Sequence, residues 1–172
     1  MSKTNNITKG ALFTALSILF IYLSSIMPTN RLALLVLSTF IIISSIITIG
    51  INTSILVFIS TSILSFFLVS SKGIAVLYIV FFGIYGFVKY YIEKLRILSL
   101  EIFIKLLFFN SVAVILFQLY EKLFVGIIDF SKIKISIYFV IVLLQIGFIV
   151  YDYVLTLFVT YFNNNLLHRF SK

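Results

Sequence analysis

The stretch 32–51, LALLVLSTFIIISSIITIGI, decides the fold. It contains no charged side chain, and its few polar residues do not alternate with apolar ones as a lipid-facing barrel strand requires. Backbone N–H and C=O groups inside lipid must be satisfied within the protein, which leaves a helix or a closed barrel. Without alternation, the helix is the remaining answer. Residues 7–27 read the same way.

The whole chain agrees with this stretch. It has 172 residues, 62% hydrophobic and 10% charged, with a mean hydropathy of +1.25. A soluble domain is roughly 45–50% apolar and about 25% charged, so there is too little polar surface here to wrap a water-soluble globule. A crossing takes about 20 residues, and the length has room for about six crossings with short connections. The expected class is an all-α membrane protein, a six-transmembrane-helix bundle forming a single domain. Its helices are expected at about 8–27, 32–49, 54–69, 74–95, 100–125 and 133–162.

Local signals set those limits. Pro28 cannot extend a helix and disfavours α geometry at Met27, so the first span stops there. Lys3 and Lys9 before an apolar run resemble a secretory signal, but residues 24–28 lack an A-x-A site, and a retained anchor is expected. Gly50-Ile51-Asn52-Thr53 supplies turn residues after the second span, and Ser70-Ser71-Lys72-Gly73 closes the third. The stretch from Lys89 to Arg96, KYYIEKLR, has the aromatic and basic character of a helix leaving the hydrocarbon. The sixth span exceeds one bilayer thickness and must tilt or protrude.

Lysine and arginine total 13 against 5 acidic residues, a net charge of +8. The excess is spread over connections and ends, which suits headgroup contact and topology rather than nucleic acid. With six spans both termini share a side. That side carries Lys3, Lys9, Lys89, Lys94, Arg96, Lys105, Arg169 and Lys172, against Arg31, Lys72, Lys122, Lys132 and Lys134 opposite. The bias predicts a cell-membrane protein with both termini in the cytoplasm.

Asp152 stands out because a carboxylate at the centre of a bilayer costs about 2.5–3.5 kcal/mol even on lenient insertion scales. It should face protein or water. Helical spacing puts Gln145, Asp152, Thr156 and Asn163 on one stripe, with Phe148, Val150 and Leu157 directed elsewhere. Asn110 on the fifth span falls at a similar depth, so a hydrogen bond to Asp152 is expected to be feasible. One reading is a binding or ion site near the midplane; the other is helix–helix glue, with Asn110 or Gln145 satisfying the carboxyl. Lys89 and Lys105 lie within range as counter-charges, but each has an easier partner four residues away, Glu93 and Glu101 respectively. Both are also close enough to the interface to snorkel.

Three other features are candidates. Ala11 and Ala15 make an A-x-x-x-A beside Gly10 and Thr14, and Thr61-x-x-x-Ser65 occurs on the third span; such spacing admits a close helix, from the same chain or from a partner. The loop Pro28-Thr29-Asn30-Arg31 is polar and basic, with Arg31 placed either to cap a ligand or to signal topology. Tyr78 and Tyr85 share a face of the fourth span, as core aromatics or as a stacking platform.

Enzyme signatures are missing. The chain has no G-x-x-x-x-G-K-[ST], H-E-x-x-H or G-x-S-x-G pattern, no acidic cluster for a divalent metal, no cysteine, and a single histidine, His168, in a polar tail. No catalytic residue, metal or cofactor is therefore expected, and nothing in the chain would bind and hydrolyse nucleotide.

The plan of six helices in a chain of this size, with a basic start and Gly10-Ala11-Leu12-Phe13-Thr14-Ala15-Leu16 on the first helix, resembles the substrate-binding S-component of energy-coupling factor (ECF) transporters. In that family the A-x-x-x-A docks on a transmembrane coupling subunit, separate ATPase subunits drive the cycle, and small micronutrients bind between the first loop and helices 4 to 6. The resemblance implies that Ala11 and Ala15 contact a coupling subunit and that Asn110, Gln145 and Asp152 line the pocket; Tyr85 and Arg31, from the reading of the residues above, are the further candidate solute contacts. A rival reading is a non-transporting membrane scaffold resembling the rod-shape-determining MreD family. A third is a lipid-modifying enzyme or ion-coupled carrier built on Asp152.

Overall fold

A computed structural model describes residues 3–123 and 137–170. The first span, α1 (Lys3–Ile26), ends where expected: Met27 is extended, and Pro28–Asn30 form a short 3-10 turn. The second, α2 (Arg31–Ile49), runs into Gly50 at φ +82°, a conformation only glycine adopts without strain. That one residue reverses the chain. The third span, α3 (Ile51–Leu68), therefore begins three residues earlier than expected, and both the backbone N–H and the hydroxyl of Ser54 donate to the Gly50 carbonyl.

The fourth span is composite. It opens as α4 (Lys72–Leu77), widens into a π turn over Tyr78–Phe82, resumes as α5 (Gly83–Ile92) and tightens into a 3-10 turn at Glu93–Leu95. Arg96, left-handed at φ +55°, turns the chain into the fifth span, α6 (Leu98–Leu123). The sixth is α7 (Ile137–Phe170), 34 residues and about 50 Å long, which exceeds a hydrocarbon core of about 30 Å. Residues 124–125 and 133–136, expected at the ends of the fifth and sixth spans, lie outside the described residues. Among the described residues, six helices are long and apolar enough to cross a membrane, as a multi-pass membrane protein requires.

The second and fourth spans form the centre of the bundle, and the fifth and sixth bury the least of themselves. Close approach at the centre depends on glycine: a Cβ at Gly86 would sit 3.0 Å from Ile42 Cγ2, and one at Gly83 would sit 2.5 Å from Phe58 Cε2. Around these contacts lies an aromatic core in which Phe81 meets Phe109, Phe148 and Tyr151. Phe148 stacks on Phe109 at 4.5 Å between ring centres and is 4% exposed. It is thus interior, against the expectation that it points elsewhere, because α7 offers the bundle an aromatic face beside its polar one. Val150 and Leu157 do face outward.

Most hydroxyls in the apolar runs satisfy themselves on their own helix. Ser24, Ser38, Ser45 and Thr61 donate to carbonyls three or four residues back, which lets them sit buried without forming a site. Thr39 reaches beyond its own helix as well. Its hydroxyl donates across to the carbonyl of Phe82, at the end of the π turn, and accepts from Tyr151 Oη, both at 3.0 Å. This chain of bonds fastens α2, the fourth span and α7 together.

Candidate functional site

Four charged side chains from the last three spans meet inside the bundle, with a tyrosine beside them. Tyr85, Lys89 and Glu93 follow one another at four-residue intervals along the end of the fourth span, so they rise on one face. Asp152 and Thr156 do the same on α7, and Lys105 projects from α6. Asp152 Oδ1 accepts from Tyr85 Oη at 2.6 Å and from Lys89 Nζ at 2.7 Å, while Oδ2 accepts from Lys105 Nζ at 2.8 Å. Lys89 Nζ also donates to Thr156 Oγ1 at 2.7 Å and pairs with Glu93 Oε1 at 2.6 Å. Lys105 Nζ reaches the same Glu93 oxygen at 3.3 Å.

The result is a closed ring of alternating charge, Lys89–Asp152–Lys105–Glu93, with no net charge. Lys89 donates to two side chains, Asp152 and Thr156, and pairs with a third, Glu93. Its side chain is 2% exposed and that of Lys105 is 7%, whereas Asp152 is 19% and Glu93 is 29%. Burying each ion costs several kcal/mol, offset only where pairing and hydrogen bonds are both good, as they are here. Counted from the middle of each span at 1.5 Å per residue, Asp152, Lys105, Lys89 and Glu93 lie at about 2, 5, 8 and 14 Å. The ring thus leads from mid-membrane to the edge of the hydrocarbon.

This geometry corrects the sequence expectations for Asp152. Its partners are the two lysines and a tyrosine, not Asn110 or Gln145. Lys105 turns to Asp152 and Glu93 rather than to Glu101, and neither lysine snorkels, because the polar faces of three helices converge and give them closer acceptors than the interface would. Only the Lys89–Glu93 pairing stands as expected, and it is one edge of a larger ring. Glu93 was legible only as that local partner.

Asn110 and Gln145 form a separate pair. Gln145 Nε2 donates to Asn110 Oδ1 at 2.7 Å, Asn110 Nδ2 returns to the Leu106 carbonyl, and Gln145 Oε1 is buried without a partner. Tyr85 belongs to the ring and is fully buried. Arg31 does not join: it is exposed at the start of α2, at the opposite end of the bundle from Glu93. The side chain of Asn163 lies outside the described residues. Among the described residues no three His, Cys, Asp or Glu side chains gather as a metal site.

Ala11 and Ala15 are exposed and border a groove between α1 and α3 of about 470 Å³, lined also by Gly10, Thr14, Thr53 and Ser60. Thr61 and Ser65 on α3 are buried instead.

The ring also changes the charge count along the connections. Lys89 and Lys105 are buried and paired within spans, so they do not act as loop charges; removing them leaves six basic residues against five. No family model, curated protein or solved structure matches the chain.

Proposed function

We propose that this chain is the solute-binding membrane subunit of an ECF-type uptake transporter, S-component-like, working with a coupling transmembrane subunit and ATPase subunits in the cell membrane. The observation that carries this reading is the convergence of ionisable side chains from the fourth, fifth and sixth spans. Bundles held by packing alone are as stable, or more so, with apolar residues at such positions, and intramembrane ionisable groups are functional by default. The exposed Ala11 and Ala15 lie on a different part of the bundle, so a partner on them would leave the polar spans free for solute.

The test has two arms. Small-molecule mass spectrometry of the purified chain is expected to detect a retained solute, and adding that solute should raise the thermal midpoint. Replacing Ala11 and Ala15 together by leucine should abolish co-purification of a second membrane protein while the monomer still elutes as a folded species; unchanged association would remove α1 from the docking face.

A scaffold is the second reading, and the self-neutralised ring favours it, since four charges that satisfy one another need no solute. For a scaffold no small molecule would shift the midpoint, yet the α1 substitutions would still release a partner.

Sidedness has its own check, because the chain has no cysteine of its own. In intact cells, a membrane-impermeant maleimide is expected to label Thr29→Cys and spare Lys94→Cys. The reverse pattern would place both termini outside.

A further inference from the structure

We infer that Lys89 and Lys105 form an oxyanion site which Glu93 occupies from within the chain, and that the ligand it takes carries a carboxylate or a related single oxyanion. This deepens the uptake reading, whose carrying observation is this same cluster of side chains, by naming the ligand class, and it needs no coupling subunit.

The two acids of the ring are not equivalent. Asp152 sits near mid-membrane, uses both oxygens, and is held by Tyr85, Lys89 and Lys105. It fixes the two ammonium groups in place and balances one of them. Glu93 balances the other through one oxygen, Oε1, with one short contact at 2.6 Å and one longer at 3.3 Å. Its side chain is the most exposed of the four, and it lies at the edge of the hydrocarbon. The backbone beneath it is the 3-10 turn Glu93–Leu95, ending at left-handed Arg96, so the regular helix no longer fixes its direction. A carboxylate held between two buried amines, on an irregular turn, marks where an external carboxylate would sit.

Space sets the mode of binding. A cavity of about 40 Å³ lies beside the ring, bordered by Gly86, Lys89, Tyr90 and Glu93, with Ile43 and Val159 opposite. That is room for about one water. An incoming anion therefore takes Glu93's own position, and Glu93 swings toward the headgroup region. The substitution conserves charge, which keeps two buried ammonium groups compensated throughout.

Removing the internal anion exposes the site to a probe. In the purified full-length chain, Glu93→Ala should lower the thermal midpoint, and millimolar sodium acetate should restore most of the loss when compared with sodium chloride at equal ionic strength. Equilibrium dialysis with labelled acetate should show binding at least tenfold tighter than in the unmutated chain, which has to expel Glu93 first. Adding Lys105→Met to Glu93→Ala should abolish both effects. If Glu93→Ala does not fold, Glu93→Gln serves for the dialysis, since its neutral amide balances neither lysine. Titration with phosphatidylglycerol against phosphatidylcholine separates a lipid phosphate from a free anion: rescue by phosphatidylglycerol alone assigns the site to a headgroup. An absence of rescue by either acetate or anionic lipid overturns the inference, whatever the outcome for solute retention or for partner association through α1.

Discussion

Asp152→Asn is expected to destabilise the folded chain by about 3–5 kcal/mol, the range for breaking a buried ion pair by removing one partner. The asparagine keeps the shape and still offers a carbonyl to Tyr85 or Lys89, so the loss is one of charge. Two ammonium groups with side chains 2% and 7% exposed would then share Glu93 alone. Removing a positive charge as well should repair this. Asp152→Asn with Lys105→Met leaves the Lys89–Glu93 pair, whose separation is 2.6 Å, and is expected to recover most of the lost stability despite carrying two substitutions. Thermal unfolding of the purified single and double variants in detergent is the measurement. A double variant less stable than Asp152→Asn would show that shape rather than charge balance holds the ring.

The same substitution separates the functional readings. A scaffold relieved of its charges by the double substitution should keep its partner, because α1 is remote from the ring. A solute-binding subunit should lose its ligand along with Lys105, even with stability restored. Stability and ligand retention measured on one pair of proteins therefore distinguish glue from site.

Much of the architecture was legible because hydropathy and punctuation are local signals. Pro28, Gly50 and the basic aromatic stretch after Lys89 each mark a limit through their own backbone or side-chain chemistry, and the helices begin and end close to them. Asp152 was legible as an interior residue for the same reason: the insertion penalty belongs to the residue itself. Its partners were not, because i,i+4 reasoning favours neighbours on one helix. Lys105 has Glu101 at that spacing, yet it turns across to α7. The usable signal was two stripes rather than one. Tyr85, Lys89 and Glu93 repeat every fourth residue on the fourth span, and Asp152 and Thr156 do so on the sixth; polar faces of matched depth in lipid have little choice but to meet. Depth alone misplaced Asn110, since equal height on two helices does not fix which faces turn together. The π turn at Tyr78–Phe82 had no sequence signal; it shows in the backbone, where the Gly83 N–H donates to the Tyr78 carbonyl five residues back, and the Thr39 hydroxyl bonds the Phe82 carbonyl at its end.

Gly83→Val is the second large effect expected, and it tests whether the centre of the bundle depends on close approach rather than on the ring. A Cβ there would fall 2.5 and 2.8 Å from two ring atoms of Phe58 and 3.2 Å from Tyr78 Cζ, so something has to move. Phe58 has little freedom to do so, because its ring packs edge-on against Phe87 at 5.9 Å and beside Tyr78 at 6.3 Å. Gly83 also follows directly on the π turn, so pushing it outward would strain the Thr39–Phe82 bond and shift Tyr85, two residues further along. Overpacking of this kind costs about 1–3 kcal/mol, and the adjacent polar contacts place the expected loss at the upper end. Trimming the obstacle should compensate: Phe58→Ala costs packing alone, but Phe58→Ala with Gly83→Val is expected to be more stable than the sum of the two single losses predicts. Strict additivity in thermal unfolding would mean that the valine is absorbed elsewhere, and that α3 and the fourth span are not held at the distance this glycine sets.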